Sequence, residues 1–327
     1  MQADTFSLQQ FNINGISVWA AVEGTGPLVI MVHGWPELWY SWRHQIQAVA
    51  AAGYRVVAPD VRGYGGSDKP YPVEAYDMIH LTGDVVGLID ALGEETAILV
   101  GHDWGAPICW NTAALYPERV SAVAGLSVPY MQRGEVSAIE LWKQLYQGKF
   151  FYQLYFQKEG IAEAELEADI PRALRTMYYA ISGDCLAEHS WEQLMASKGP
   201  DDSLLGGMPD PNPLPEWLTD EDLRYFVDAY KLSGFRGSLN RYRAQQRDWA
   251  LLPQLSELTV DQPSCFVAGS LDIVRGLIPG VDLYENPGVS CTDFRGATII
   301  DGAGHWVQQE RPDQVNRALL VFLSELS

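Results

Sequence analysis

Little in this chain suggests a scaffold held together by covalent or metal cross-links. Among 327 residues there are four cysteines, Cys109, Cys185, Cys265 and Cys291. They show neither CxxC spacing nor the density of a small disulfide-bonded domain, which excludes a disulfide framework and a thiolate metal site as organising features. Cys109 and Cys265 fall in apolar stretches and are expected as buried free thiols, which suits a reducing, cytoplasmic setting. Long hydrophobic runs are missing. No stretch approaches the roughly 18 apolar residues of a membrane span, and Met1 to Gln10 lacks the basic start and apolar stretch of a signal peptide. Basic residues are scarce too: 22 Lys and Arg face 42 Asp and Glu, a formal net charge of −20. That balance disfavours nucleic acid and anionic membrane surfaces as partners and leaves a neutral small molecule open. Internal repeats and low-complexity tracts are absent as well.

What is present is a globular composition, 47% hydrophobic, in a chain long for one core and short for two. Short runs rich in Val, Ile and Ala recur at Leu28 to Val32, Tyr54 to Ala58, Ala97 to Val100, Ser121 to Ser127, Ser264 to Ala268 and Ala297 to Ile300. Such runs suit strands buried on both faces. Helical stretches alternate with them at Trp42 to Ala52, Tyr76 to Leu92, Trp104 to Tyr116 and Asp313 to Leu326. This alternation predicts an α/β fold with a mostly parallel central sheet flanked by helices. From Pro129 to Trp249 the rhythm changes to helical patterns (Ile161 to Ser182, Asp220 to Leu232), many aromatics and a Pro/Gly/Asp-rich loop from Gly199 to Glu216. The expected organisation is therefore a core in two parts, 1–128 and 250–327, with a helical cap inserted at 129–249. The acidic run Glu163 to Asp169 reads as the solvated face of a cap helix.

The chemistry is concentrated at Gly101-His-Asp-Trp-Gly105. Gly-x-Nuc-x-Gly between a strand and a helix is the nucleophile elbow, a strained turn that exposes one side chain above a parallel sheet. Here that side chain is Asp103. A serine at this place attacks acyl carbons, whereas a carboxylate can open an sp3 carbon and form an alkyl ester on itself. Epoxides and alkyl halides are the electrophiles that fit. The ester must then be cut by water, which calls for a base and a carboxylate to orient it, in the chain order nucleophile, acid, histidine. His305 follows the strand at Ala297 to Ile300 and is the expected base. Asp272, just past the Ser264 to Ala268 strand, is the expected acid, with Asp301 and Asp293 as alternatives. His33 and His102 read as structural, and His44, His80 and His189 lie away from strand ends. His33-Gly-Trp-Pro36 places the Trp35 N–H near the elbow, where with the Trp104 N–H it would form an oxyanion hole. A cis Trp35–Pro36 bond is compatible with so tight a turn.

His33-Gly-Trp-Pro, Asp60-Val-Arg-Gly-Tyr-Gly-Gly-Ser-Asp, Gly-His-Asp-Trp-Gly and Gly302-Ala-Gly-His-Trp together resemble the soluble epoxide hydrolases of the α/β-hydrolase superfamily, hydrolase domain and cap only. The resemblance spans essentially the whole chain and implies an α/β-hydrolase fold with an inserted helical cap. Phe151-Tyr-Gln-Leu-Tyr-Phe-Gln is similar to the family's first tyrosine motif and Gly234-Phe-Arg-Gly-Ser-Leu-Asn-Arg-Tyr-Arg to its second. The resemblance therefore implies that Tyr152 and Tyr242 bind and protonate the epoxide oxygen; on their own, two of sixteen tyrosines would pass for cap packing. It implies no metal and no cofactor, a small-molecule epoxide and water as partners, no membrane insertion and, as one arrangement, a homodimer. Trp35, Trp104, Tyr155 and Trp306 are expected to line an apolar pocket. Two departures stand out: Ala106-Pro107 after the elbow, and Arg241 before Tyr242 where relatives carry an aromatic, which puts the polarity of the pocket there in question. Haloalkane dehalogenases would show a halide-binding Asn in place of Trp35, fluoroacetate-type dehalogenases an Arg in place of Trp104, and serine esterases a Ser in place of Asp103. A catalytically silent receptor on this scaffold would have no use for the full set of residues.

Overall fold

The computed structural model describes residues 6–326. Its frame is an eight-stranded sheet of order β1-β2-β4-β3-β5-β6-β7-β8, formed by β1 (Leu8–Ile13), β2 (Ile16–Glu23), β3 (Leu28–Val32), β4 (Arg55–Pro59), β5 (Ala97–His102), β6 (Val120–Leu126), β7 (Ser264–Gly269) and β8 (Phe294–Ile300). From β4 across to β8 every neighbouring pair is parallel, and β2 runs against its neighbours β1 and β4. The six strands expected from apolar runs are present. The β1–β2 hairpin was not among them, because β1 is largely exposed and polar. Its turn, Asn14-Gly15, has positive φ at both residues (47° and 76°), the conformation that tight hairpins require.

Every residue of β3 and β5 is buried because both sheet faces are covered. Successive side chains alternate between faces. Val29 and Met31 join one core with Ile46 and Val49 of α1 (Arg43–Ala51) and Leu319 and Phe322 of α14 (Pro312–Ser324). Leu28, Ile30 and Val32 join another with Leu88 and Ile89 of α2 (Met78–Ala91) and Ile108 and Trp110 of α3 (Gly105–Leu115).

Between β6 and β7 run α4 (Ala138–Leu145), α5 (Tyr152–Tyr155), α6 (Ile161–Ala168), α7 (Ile170–Ala180), α8 (Gly183–Leu186), α9 (Trp191–Met195), α10 (Asp220–Ser233), α11 (Arg236–Arg243) and α12 (Gln245–Leu251); α13 (Val307–Glu310) precedes α14. Ile139 and Trp142 of α4 and Phe151 form a small cluster of their own, but most apolar side chains of this helical layer belong to the main core. Phe156, Leu174, Tyr178, Phe226 and Tyr242 are continuous, through Trp35, Trp39 and Trp306, with the α1/α14 face of the sheet.

The acidic run Glu163–Asp169 is only in part a solvated face: Glu167 and Asp169 are exposed, Glu165 is half-buried and Glu163 is buried. Glu163 is buried and holds Arg243 through both guanidinium nitrogens (2.7 and 3.0 Å). Glu165 accepts from the Tyr155 hydroxyl and the N–H groups of Leu204 and Leu205, and Glu167 accepts the Phe235 N–H. Asp169 caps α7 by accepting from the Arg172 N–H, and so splits the single helix expected at 161–182 into two. A run of like charges in sequence is dispersed here because each carboxylate meets a different partner.

Candidate active site

Asp103 stands at the end of β5 with φ of +49°, a left-handed conformation costly for a non-glycine residue. The surroundings leave no alternative. A Cβ on Gly105 would strike the carbonyls of Val32 and His33, and one on Gly34 would strike the Asp103 carboxylate itself. The two glycines let the β3–α1 loop and the elbow approach within hydrogen-bond range, and the Trp35 N–H donates to Asp103 Oδ1 at 2.7 Å. The Trp35–Pro36 peptide in that loop is cis.

His305 lies across from Asp103, with Nε2 3.4 Å from Asp103 Oδ2 and Nδ1 3.0 Å from Asp272 Oδ1. The Ser127 hydroxyl is 3.1 Å from the same Nδ1. Asp272 is buried and caps a short 3-10 turn by accepting from the Val274 N–H. The two alternative acids lie elsewhere: Asp293 is an exposed partner of Arg295, and Asp301 accepts from Ser270. Burial alone would depress the His305 imidazole, but the carboxylates of Asp272 and Asp103 on either side hold it well above its ordinary value. Burial pushes Asp272 up, yet the contact with His305 leaves it below the usual carboxylate range.

Tyr152, opening α5, and Tyr242, on α11, face each other with ring centroids 6.0 Å apart. Both line the same cavity as Asp103 and His305. Burial, reinforced by the Asp103 charge, raises both phenols, so both are proton carriers at neutral pH. The remaining wall is apolar, with Trp35, Phe156, Met177, Leu204 and Trp306 among its members, around about 630 Å³ of empty space that includes some open to solvent.

Two expected wall residues stand off this cavity. Phe156, one turn on from Tyr152, takes the place assigned to Tyr155, whose hydroxyl turns instead to Glu165 at 2.8 Å. The Trp104 indole packs against Tyr242 (5.4 Å) beneath the Arg241 guanidinium (4.7 Å). Arg241 likewise points away. Its guanidinium reaches the Tyr76 carbonyl and Asp248, binding α11 to the core and leaving the cavity wall apolar.

Three residues given no part in the chemistry by the sequence reading, Glu37 and Glu310 not singled out and His102 read as structural, tie the site together. Glu37, two positions beyond Trp35, is fully buried and receives the Gly34 N–H, His102 Nδ1 and the side-chain amides of Gln308 and Gln309. His102 Nε2 in turn donates to the His305 carbonyl at 2.7 Å. A carbonyl only accepts, so Nε2 is the donor in this contact. Burial would raise Glu37, but His102 outweighs it and brings the carboxyl down to about 2. Its stabilisation is therefore present above pH 4.5 and lost as pH falls from 4.5 toward 2, on the order of 3 kcal/mol. Urea unfolding at about pH 6 and pH 3.5 checks this: a Glu37→Gln protein should lose less stability over that interval than the parent. An equal loss would remove Glu37 from the acid transition. The third residue is Glu310, which accepts from the N–H groups of Gly183, Gly304 and Trp306.

His33 is structural, as its sequence context suggests: Nε2 accepts the Val61 N–H and Nδ1 donates to the Gly34 carbonyl. Among the described residues no group of three or more His, Cys, Asp or Glu side chains is placed to hold a metal ion. No helix among them is long and apolar enough to cross a membrane.

Comparison with known proteins agrees with this geometry. Residues 27–312 match the α/β hydrolase fold family. Epoxide hydrolase A of Mycobacterium tuberculosis is 44% identical over 326 residues, 100% of this chain and 99% of that protein. The crystal structure of epoxide hydrolase A from Mycobacterium thermoresistibile superposes with a TM-score of 0.90 at 43% identity, covering 98% of each chain. An epoxide hydrolase from an endophytic Streptomyces gives a TM-score of 0.92 at 42% identity over 98% of this chain and 96% of that one. The chain belongs to the α/β-hydrolase fold family, in its epoxide hydrolase branch.

Proposed function

We propose that this protein hydrolyses lipophilic epoxides to vicinal diols through an ester on Asp103. One observation carries the reading: the elbow carboxylate is 3.4 Å from His305 Nε2 and shares one apolar cavity with two protonated tyrosines, Tyr242 buried and Tyr152 half-buried. Asp103 attacks an oxirane carbon from behind. As the C–O bond breaks, Tyr152 and Tyr242 hold the oxygen and a proton passes to it, because an alkoxide is a poor leaving group in an apolar site. Alkyl halides, which leave as stable anions, give such a pair nothing to do.

Esterification removes the Asp103 charge. His305 then keeps one carboxylate neighbour instead of two, its hold on a proton weakens, that proton passes to the phenolate left by ring opening, and the neutral imidazole becomes the base for the second half. Water deprotonated by His305, with Asp272 orienting the ring, attacks the Asp103 carbonyl carbon. The N–H groups of Trp35 and Trp104 stabilise the oxyanion, each such donor being worth roughly 3–4 kcal/mol of barrier. The proton given to the oxirane oxygen is recovered from that water, and the cycle consumes one water per diol. Residues 129–249 act as the cap that closes the cavity over the core formed by 1–128 and 250–327. Cytoplasmic location is supported by cysteines that are free thiols.

A single turnover of a styrene-oxide-type substrate in H2-18O, followed by mass spectrometry of the Asp103 peptide, tests this. One 18O should appear in the enzyme, and in the diol only on later turnovers. A diol labelled at once, with an unlabelled peptide, would mean direct attack by water.

A further inference from the structure

Glu310 lies where the His305 loop meets the helical layer backbone to backbone. Gly302–Gly304 presses against the α7–α8 turn so closely that a Cβ on Gly183 would strike the Gly302 carbonyl, and one on Gly304 would strike the Gly183 nitrogen. Both contacting strands of chain present N–H groups there, and Glu310 collects them. Its Oε2 accepts from Gly183 (2.8 Å) and Gly304 (2.9 Å), and its Oε1 accepts from Trp306 (3.0 Å). Gly304 and Trp306 flank His305 directly. Gly183 belongs to the other layer, whose Ile181 carbonyl also accepts the His305 N–H at 2.9 Å. Arg311 closes the loop from below through the Gly302 carbonyl at 3.2 Å. Glu310 is only 5% exposed and makes no salt bridge among the described residues; burial pushes its carboxyl up to about 7 against the pull of these backbone donors and, more weakly, of the Arg311 charge.

We infer that Glu310 is a positioning residue that makes the placement of His305 depend on cap docking, and so acts on ester hydrolysis rather than on ester formation. The reasoning rests on the proposed mechanism, in which Asp103 and the tyrosines do the first half and His305 acts as base only in the second. Asp103 is held by the elbow and the Trp35 N–H, neither of which touches Glu310. Without the carboxylate, three N–H groups on both sides of the contact lose their acceptor, and the loop carrying His305 is free to shift. Displacement of a catalytic group by about 1 Å costs on the order of a hundredfold in rate.

The test separates the two half-reactions by rapid mixing with a slowly hydrolysed epoxide, following ester and diol in the wild type, Glu310→Ala and Glu310→Gln. The expected result for Glu310→Ala is ester formation within about threefold of wild type, and ester hydrolysis slower by about tenfold to a hundredfold, with alkylated Asp103 accumulating in the steady state. Glu310→Gln, whose amide oxygen still serves Gly183 and Gly304 but not Trp306, should fall between the two. It also gives the answer by itself if the alanine variant does not fold. Equal slowing of both halves would reduce Glu310 to a general stabiliser and overturn the inference, as would no change in either. Those outcomes differ from failure of the underlying function, which would show as no ester on Asp103 in the wild type and would take the inference with it.

Discussion

A His305→Gln protein is expected to stop after the first chemical step, with Asp103 esterified and the diol still attached. Steady-state turnover should fall by about 10³-fold, the middle of the range for loss of a general base and equivalent to about 4 kcal/mol of barrier. The reason is the asymmetry of the site. The nucleophile is held by the Trp35 N–H and exposed by the elbow, with the imidazole 3.4 Å from its other oxygen, whereas the hydrolytic water has only His305 to deprotonate it. A burst of one equivalent of epoxide consumed per active site, followed by near silence, is the kinetic expectation. The Asp103 peptide should gain the mass of one substrate molecule. A thermal melt guards against misfolding, since the His305 ring is buried between two carboxylates. If the variant neither consumed substrate nor gained mass while remaining folded, His305 would have to act before or during ring opening, and the division of labour proposed here would fail.

Removal of both phenols should act on the other half. Tyr152→Phe with Tyr242→Phe is expected to slow ester formation by about 10²- to 10⁴-fold, the range associated with proton transfer by a positioned side chain. The singles should cost less than half of that logarithm each, because either hydroxyl alone can still meet the oxirane oxygen and the rings touch one another. Ester hydrolysis, once an ester has been formed, should change little. Rapid-mixing measurement of alkylated Asp103 gives both rates from one experiment. The outcome that would count against the assignment is a double variant that opens epoxides at the parent rate. Packing losses are a lesser concern, since phenylalanine preserves the rings that contact Trp35, Trp104 and Phe156.

Much of the frame was legible because the central strands are buried on both faces: a run such as Leu28–Val32 admits few readings once turn residues bound it. The β1–β2 hairpin escaped because an edge strand need not be apolar, although Asn14-Gly15 was the available sign. Asp103 could be assigned locally, since the elbow is a contiguous motif with two obligatory glycines. His305 and Asp272 followed from chain order. The tyrosines rested on resemblance, because nothing in the spacing of Tyr152 and Tyr242 places them against each other.

The readings that failed share a cause. Tyr155 and the Glu163 end of the acidic run were judged by residue type and neighbours in sequence, and Arg241 raised a question on the same grounds, but where a polar side chain ends depends on which partner the fold delivers. Tyr155 met Glu165, Arg241 met Asp248 and the Tyr76 carbonyl, and Glu163 met Arg243. The same applies to Glu37, His102 and Glu310, which in sequence are unremarkable polar residues. By itself the sequence determined the parallel part of the sheet, the insertion of a helical segment between β6 and β7, the elbow carboxylate proposed as nucleophile and the chain order of its proposed partners, since these depend on periodicity and on contiguous turns. The tertiary structure alone decided the shape of the cavity, the pairing of the tyrosines and the buried carboxylate contacts that couple the loops, because each joins atoms from segments tens to hundreds of residues apart, and the energy of a buried polar group depends on the partner it finds there.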